Sequence, residues 1–364
     1  MRQRALGAAT VSAIGCSVSL AISARRGHDA GTVERALLAA LELGITLVDV
    51  AAEPDTEKLA GEVVRAQRLR DRAVVATRVP SLPAAREDLA ARLPVKYVQE
   101  RVEASLRASR LEVLPLVLVP LGAADRRARA WPELAGACAR LVREGKVQQW
   151  AALVEDPHGF VVREPAPPPP PRETTTPSGL ILSIAEVVAP APTAADAAPR
   201  SAFAEEPWLV ALHAPLSACE RANEELLATS LPVLASAPLS AGALAGTVGP
   251  GVALRLTDER RALDDAHLAR IAVAAARLAP LVRTEPPAAT SCEAARAARE
   301  RAVRTRDPEA STLAELALRR LLDRGALPLP RLHHRDHVID AVAAALAPPL
   351  SAAAHADLDA VFDT

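Results

Sequence analysis

The chain alternates short apolar runs with longer amphipathic segments, and this alternation constrains its fold more than any other feature. Residues Thr32–Leu43 carry apolar residues at helical spacing and stop at Gly44, and the uninterrupted apolar run Ile45–Val50 follows. Such a run is typical of a parallel strand that is covered on both faces. The predicted strands are Val11–Gly15, Ile45–Val50, Ala73–Arg78, Leu114–Val119, Val147–Leu153, Trp208–His213, Pro232–Ala237 and Ala326–Pro330.

Helical patterns separate most of these strands. They are Thr32–Leu43, Glu57–Arg65, Tyr97–Ser109, Pro132–Glu144, Asn223–Thr229, His267–Leu278, Thr312–Asp323, Arg335–Leu346 and Ser351–Phe362. Strands that alternate with helices favour an α/β fold, the (β/α)₈ TIM barrel. A doubly wound open sheet is the alternative, and it is disfavoured because no G-x-G-x-x-G follows the first strand. We expect one barrel domain over residues 1–364, with parallel strands in sequential order from Val11 to Leu346.

Two stretches interrupt the alternation. Residues 164–200 contain the proline run Pro167–Pro171 and Ala/Pro/Thr-rich sequence, which is typical of a linker-like insertion with polyproline character. We expect it to lie outside the barrel core and to be mostly irregular, with the apolar segment Leu180–Val188 covering a barrel face if it is ordered. Residues 284–308 form a second irregular, charged and alanine-rich insertion.

Composition narrows the classes of partner. The net charge is −1, so no basic excess indicates nucleic acid, and beyond the N-terminal stretch no run approaches the ~20 apolar residues of a membrane span. The four cysteines are widely spaced without a C-x-x-C pair, which predicts free thiols and a cytoplasmic protein. An N-terminal export signal with Cys16 as a lipoprotein-like cysteine is the alternative.

Six segments, in order, carry a resemblance to one known family. They read RALG…VSAIG, ERALLAALELGITLVDVA, RDRAVVATRV, VQERVEASLRASRLEVLPLVLVP, LVREGKVQQWAAL and LPVLASAPLSAGALAGT. They resemble the aldo-keto reductase family, in which they correspond to the opening, the first helix and second strand, the third strand, the third helix and fourth strand, the approach to strand five, and the cofactor loop after strand seven. The resemblance covers nearly the whole chain and implies the family's barrel.

The resemblance also implies a catalytic set, most of which is replaced. In the family a tyrosine protonates the carbonyl oxygen while NADPH gives hydride to the carbon, a lysine paired with an aspartate lowers the tyrosine pKa, and a histidine orients the carbonyl. Here the aspartate is Asp49, but the tyrosine, lysine and histidine positions fall at Pro54, Arg78 and Pro120. We expect Asp49 and Arg78 to persist as a vestigial buried ion pair, since arginine cannot tune a phenol as lysine does.

The implied cofactor contacts are eroded too. The carboxamide-binding pair falls at Leu153 and Val154, the strand-six glutamine at Ala211, and the aromatic that stacks on nicotinamide at Ser236. The strand-eight P-G-x-R-like phosphate motif reads Pro330, Arg331, Leu332, His333. The loop after strand seven matches, although its glycines are equally what the turn needs. The expected cofactor-binding residues, with NADP bound weakly or not at all, are Pro238, Leu239, Gly242, Gly246 and Arg331.

Three other features are weaker candidates. Tyr97, the single tyrosine, could be a relocated acid or could simply pack on a loop. His333, His334, Asp336 and His337 could form a metal site, a phosphate-binding remnant or a solvated loop, and no metal is predicted. Cys16 could reach the barrel mouth, although a buried inert thiol is commoner.

These observations favour a pseudoenzyme that binds, scaffolds or regulates, with a small molecule or an unidentified protein as its partner. A diverged NADP-dependent oxidoreductase that acts on an unknown carbonyl is the main alternative. An isomerase or lyase that uses the barrel mouth is the third.

Overall fold

The computed structural model describes residues 1–69, 72–85, 88–122, 125–154, 208–219, 223–248, 252–262 and 312–360, with 269, 272–273, 276–278 and 282. The predicted insertions at 164–200 and 284–308, the segment Leu180–Val188 and half of the predicted helix His267–Leu278 lie outside the described residues.

Eight parallel strands form the barrel wall in sequential order, which confirms the predicted barrel. The first and last strands meet at a seam, where the amides of Gly15 and Ser17 donate to the carbonyls of Pro328 and Pro330, each at 2.9 Å. Ser17 also pairs with Arg331 in an isolated parallel bridge. The strands are β3 (Cys16–Val18), β4 (Leu47–Val50), β5 (Val74–Arg78), β6 (Leu114–Leu121), β7 (Val147–Val154), β8 (Leu209–Pro215), β9 (Val233–Ser236) and β10 (Leu327–Pro328).

The predicted first strand, Val11–Gly15, is wrong. β1 (Gln3–Leu6) and β2 (Ala9–Ser12) instead form an antiparallel hairpin, and the barrel wall begins at Cys16. The hairpin covers the N-terminal end of the barrel, where Leu6 and Val11 join the apolar residues of the interior. Because hairpin and barrel strand follow each other within a few residues, a local apolar pattern does not separate them.

Helices cover the outside of the wall. They are α1 (Leu20–Arg25), α2 (Ala30–Glu42), α3 (Pro54–Ala66), α4 (Leu89–Arg92), α5 (Val95–Ser109), α6 (Trp131–Arg143), α7 (Leu313–Asp323), α8 (Arg335–Leu346) and α9 (Ala352–Ala360). Thr312 caps α7 by accepting the Glu315 amide at 3.0 Å, as its spacing predicts. The predicted helix Asn223–Thr229 is a short 3₁₀ turn, Glu224–Ala228.

The side chains that point into the barrel are apolar along most of each strand and include polar and charged residues at the C-terminal ends. The lower layers are apolar, and they are built from Leu47, Val74, Ala76, Leu116, Leu118, Ala151, Ala211, Leu234, Leu327 and Leu329. Strand alternation then places the next inward residues at the C-terminal ends, which form the barrel mouth. This mouth layer consists of Ser17, Asp49, Arg78, Pro120, Leu153, His213, Ser236 and Arg331. Among the described residues, no helix combines the length and the apolar character of a membrane span.

Candidate active site at the barrel mouth

Asp49 and Arg78 form the ion pair expected from the sequence. Nη2 of Arg78 lies 2.5 Å from Oδ1 of Asp49, whose side chain is only 3% exposed. Burial, the largest single influence, raises the pKa of Asp49, but Arg78 and His213 together outweigh it and hold the pKa well below its usual range. Asp49 is therefore a carboxylate at neutral pH and has no proton to give.

His213 is a mouth residue that the sequence reasoning missed. It points inward from the end of β8, and its Nε2 lies 3.8 Å from Oδ2 of Asp49, which is beyond hydrogen-bonding distance. The side chain is 3% exposed, and neither ring nitrogen has a hydrogen-bond partner among the described residues. The available signal was its position two residues after Ala211 on the same strand, which places both on one face.

Arg331 adds a second guanidinium to the mouth. Burial and then the charge of Arg26 lower its pKa, the charge of Asp49 opposes them, and the net value is about 10. Within the described chain no hydrogen bond or ion pair of its side chain is found. Arg331 stands at the glycine position of the P-G-x-R-like motif that the resemblance implies, so its side chain adds a positive charge at that position.

Prolines occupy the two positions at which the resemblance implies the catalytic tyrosine and histidine, so neither position has a side-chain proton donor. Pro54 is the first residue of α3 and is exposed, while Pro120 is buried in β6 opposite Leu153. The neighbouring carboxylate of Glu53 accepts hydrogen bonds from Ser19 Oγ at 2.6 Å and Thr56 Oγ1 at 2.5 Å, so it is bound to its own loop. Neither proline supplies the proton transfer that carbonyl reduction needs.

Comparisons with known proteins agree with this geometry. Residues 21–152 match the model of the Aldo/keto reductase family. An aldo-keto reductase from Bacillus halodurans in its holo form is similar at a TM-score of 0.63 and 17% identity, with 99% of this chain and 96% of that chain covered. The resemblance to the aldo-keto reductases is confirmed.

Two further solved structures share the aldo-keto reductase barrel. The glycerol dehydrogenase of Gluconobacter oxydans gives a TM-score of 0.65 at 17% identity over 99% of this chain and 94% of that one. An aldo-keto reductase from Klebsiella pneumoniae, solved with NADPH, gives 0.57 at 20% identity over 100% and 96%. No curated protein sequence matches significantly. Identities this low show a common fold and leave the activity of this chain to its own residues.

The loop after β9 keeps the glycines of aldo-keto reductases for a local reason. Gly242 has φ +99°, and a Cβ there would lie 2.3 Å from Thr247 Oγ1. The amide of Gly242 donates to Leu239 O at 2.9 Å, and that of Gly246 donates to Ala243 O at 3.0 Å. The turn therefore requires Gly242, and these two amides are already bonded within the loop.

The side chains that the resemblance implies for holding the nicotinamide end of NADP are replaced at this mouth. Leu153 and Ala211 border the apolar interior and carry no side-chain donor or acceptor, and Val154 follows at the end of β7. Ser236 has no ring to stack on nicotinamide. Of the expected cofactor-binding residues, Arg331 reaches the mouth, whereas Pro238, Leu239, Gly242 and Gly246 lie in and just before the 3₁₀ turn Ser240–Ala245.

The histidines near strand eight serve α1 and do not form a metal site. His333 Nδ1 lies 2.8 Å from Ser23 Oγ, its Nε2 lies 3.3 Å from Arg26 Nη1, and its ring stacks on His28 at 4.9 Å. Burial, and then the charge of Arg26, lowers the pKa of His333 to about 2, so the ring is neutral. Among the described residues no His/Cys/Asp/Glu group could hold a metal ion.

Tyr97 is hydrogen-bonded to the loop after β5, and Cys16 faces the helices. The hydroxyl of Tyr97 donates to Pro80 O at 2.9 Å from the first turn of α5. Cys16 does not reach the mouth as one expectation had it, because it opens β3 and packs on the outer, helix-facing side of the wall. Burial, with repulsion from Asp49, raises the pKa of its thiol to about 12, so it is unreactive at neutral pH.

Proposed function

We propose that this chain is an aldo-keto reductase-like pseudoenzyme that acts by binding at its barrel mouth and does not reduce carbonyls as its relatives do. One observation carries the proposal. Pro54 and Pro120 stand where the acid and the orienting histidine would lie, and Arg78 is held by Asp49 at 2.5 Å.

The expected loss of rate is large. General acid catalysis typically contributes ~10²–10⁴-fold, and an oriented donor to the developing alkoxide contributes ~10²–10³-fold by analogy with oxyanion holes. These factors need not multiply, because such residues act as a unit. Even one of the losses places turnover near the limit of a routine assay.

We also propose that NADP binds weakly or not at all. Leu153, Val154 and Ala211 offer no side-chain hydrogen bond to the carboxamide, which supports this. Residual affinity would come from the loop Pro238–Gly246 and from Arg331. Titrating the purified protein with NADPH and following nicotinamide fluorescence measures it, and a Kd near the micromolar range would contradict this part of the proposal.

A carbonyl assay tests the function directly. The unmodified protein, supplied with NADPH and a panel of simple aldehydes and ketones, should show no appreciable oxidation of NADPH. Pro54→Tyr alone should not restore turnover, because Arg78 and Pro120 remain. Robust oxidation by the unmodified protein would eliminate the pseudoenzyme reading.

A diverged NADP-dependent oxidoreductase is the second candidate, and His213 is the observation that favours it. This buried imidazole lies 3.8 Å from a carboxylate, an arrangement that can orient a proton donor. If turnover is found, loss in His213→Gln with retention in Tyr97→Phe would assign the acid to His213. The opposite pattern would assign it to Tyr97.

A small molecule or a protein remains the proposed partner, in the cytoplasm, without nucleic acid or membrane. The net charge of −1 supports the exclusion of nucleic acid. An N-terminus mapped by mass spectrometry to a residue between Cys16 and Arg26 in the natural host would show export instead.

A further inference from the structure

We propose that the barrel mouth binds the carboxylate of a small molecule between Arg331, Arg78 and His213. This inference rests on the proposed binding function and names the class of its ligand. Three features of the mouth carry it: a surplus of positive charge, a buried imidazole without a hydrogen bond to any described residue, and an accessible edge.

The charges at the mouth do not balance. Asp49 pairs with Arg78, and Glu259 Oε1 accepts from Arg26 Nε at 2.9 Å and Nη2 at 2.5 Å. Both carboxylates thus have their own guanidinium. Arg331 pairs with Ser17 at the mouth, and its side chain has no ion pair among the described residues, so it is the cation left over.

A desolvated guanidinium without a counter-ion is costly, and an anion relieves that cost. A carboxylate matches the planar fork of arginine and forms charge-assisted hydrogen bonds that are stronger than neutral ones. The nearby charge of Asp49 repels an incoming anion, but Arg78 already offsets it. The mouth holds two guanidinium groups, Arg78 and Arg331, and one carboxylate, Asp49. An incoming ligand therefore meets a net positive charge.

His213 supplies the second, independent sign of a ligand. Its ring is buried, and both nitrogens lack a hydrogen-bond partner among the described residues. A buried polar group is normally bonded, and each exception needs an explanation. A neutral imidazole carries one N–H, which an anionic oxygen at the mouth would accept.

The mouth is also reachable. The Arg78 side chain is 26% exposed, and its buried Nε has no partner in the described part of the chain. Beneath the polar layer lie apolar side chains such as Ala76, Leu118 and Ala211. A small carboxylic acid with an apolar body matches this arrangement, because its carboxylate would meet the charged side chains of the mouth and its apolar part would contact the apolar layer beneath them.

Isothermal titration of the full chain tests the proposal with defined probes. Acetate, propionate and inorganic phosphate would be titrated at constant ionic strength, with chloride as the reference anion. We expect propionate to bind best. Arg331→Gln should weaken its binding about 10-fold or more, since it removes a charge-assisted hydrogen bond. Arg143→Gln, an exposed arginine in the last turn of α6 at the other end of the barrel, is the matched control and should bind normally.

A second measurement needs no variant. Phenylglyoxal modifies accessible arginines, and mass spectrometry maps the sites. Propionate should slow modification of Arg331 and Arg78 and leave Arg143 unaffected. Absence of carboxylate binding, equal affinity of Arg331→Gln and Arg143→Gln, or binding of phosphate without carboxylate would each overturn the proposal.

The outcome is separable from that of the pseudoenzyme proposal. A protein that binds propionate and also reduces carbonyls refutes the pseudoenzyme proposal and retains this site. A protein that does neither refutes only the carboxylate site.

Discussion

The two ends of the barrel differ in how their polar groups are hydrogen-bonded. At the N-terminal end the hairpin closes the barrel and polar groups meet partners: Gln149 Oε1 accepts the Ala8 amide at 2.8 Å. Ser12 and Thr46 exchange hydrogen bonds, from the Ser12 amide to Thr46 Oγ1 at 2.8 Å and from the Thr46 amide to Ser12 Oγ at 2.9 Å. At this closed end the side chains of Gln149, Ser12 and Thr46 are therefore all hydrogen-bonded.

At the C-terminal end, several buried polar atoms have no hydrogen-bond partner among the described residues. The ring nitrogens of His213 and Nε of Arg78 are buried without a hydrogen bond among the described residues. Active sites of TIM barrels lie at this end, whereas the opposite end serves stability. The contrast fits the binding function proposed for the mouth.

The largest expected effect comes from breaking the charge balance of the mouth. Asp49→Asn leaves Arg78 and Arg331 without a carboxylate. Removing one partner of a buried pair costs about 3–5 kcal/mol, and we expect ~3 kcal/mol because Arg78 is partly exposed. Urea denaturation followed by circular dichroism measures it.

The double variant Asp49→Asn, Arg78→Gln is the control, and it should recover part of the loss because it removes one unpaired cation. A single variant within ~0.5 kcal/mol of the unmodified protein would mean that the pair contributes nothing.

Acid should narrow the difference between the Asp49→Asn variant and the unmodified protein. The pKa of folded Asp49 is held low, so its stabilisation is complete above the unfolded value of ~3.9 and is lost as the pH falls towards the folded value. The slope is at most ~1.4 kcal/mol per pH unit. Unfolding free energies compared from about pH 5 downward test it, and a difference that stays constant or widens would contradict it.

The smallest effect belongs to the closed end. Gln149→Met leaves the Ala8 amide without its acceptor and should cost about 1–2 kcal/mol. Binding of NADPH or of a carboxylate should not change, because the residue lies at the opposite end from the mouth. A changed affinity would show that the two ends are coupled.

The fold was predictable because its signal is local and repeated. Apolar strands such as Val147–Val154 and amphipathic helices such as Ala30–Glu42 recur along the chain, and each occurrence supports the others. The error at Val11–Gly15 has a physical reason. Strand pairing is not local, so the sequence does not say whether an apolar run pairs with a hairpin or with a barrel strand.

The site was predictable only in part. Asp49 and Arg78 followed from the resemblance to aldo-keto reductases, and the structure brings them together. His213 carries no motif, and its approach to Asp49 arises only when the barrel closes. Arg331 was expected as a phosphate contact. In the structure its charge also interacts with the charges of Asp49 and Arg78. Side-chain direction depends on strand register, which the sequence leaves open.

The seam of the barrel links binding to the lifetime of the fold. Gly15 and Ser17 donate to Pro328 and Pro330, whose nitrogens carry no hydrogen to return. These are the barrel segments farthest apart along the chain, so loop-closure entropy makes their pairing late to form and early to open. Arg331 stands on this seam and Arg78 stands within the wall. An anion bound by both arginines would link the last barrel strand to the wall across the seam. The first measurable consequence of its binding would be a slower rate of unfolding.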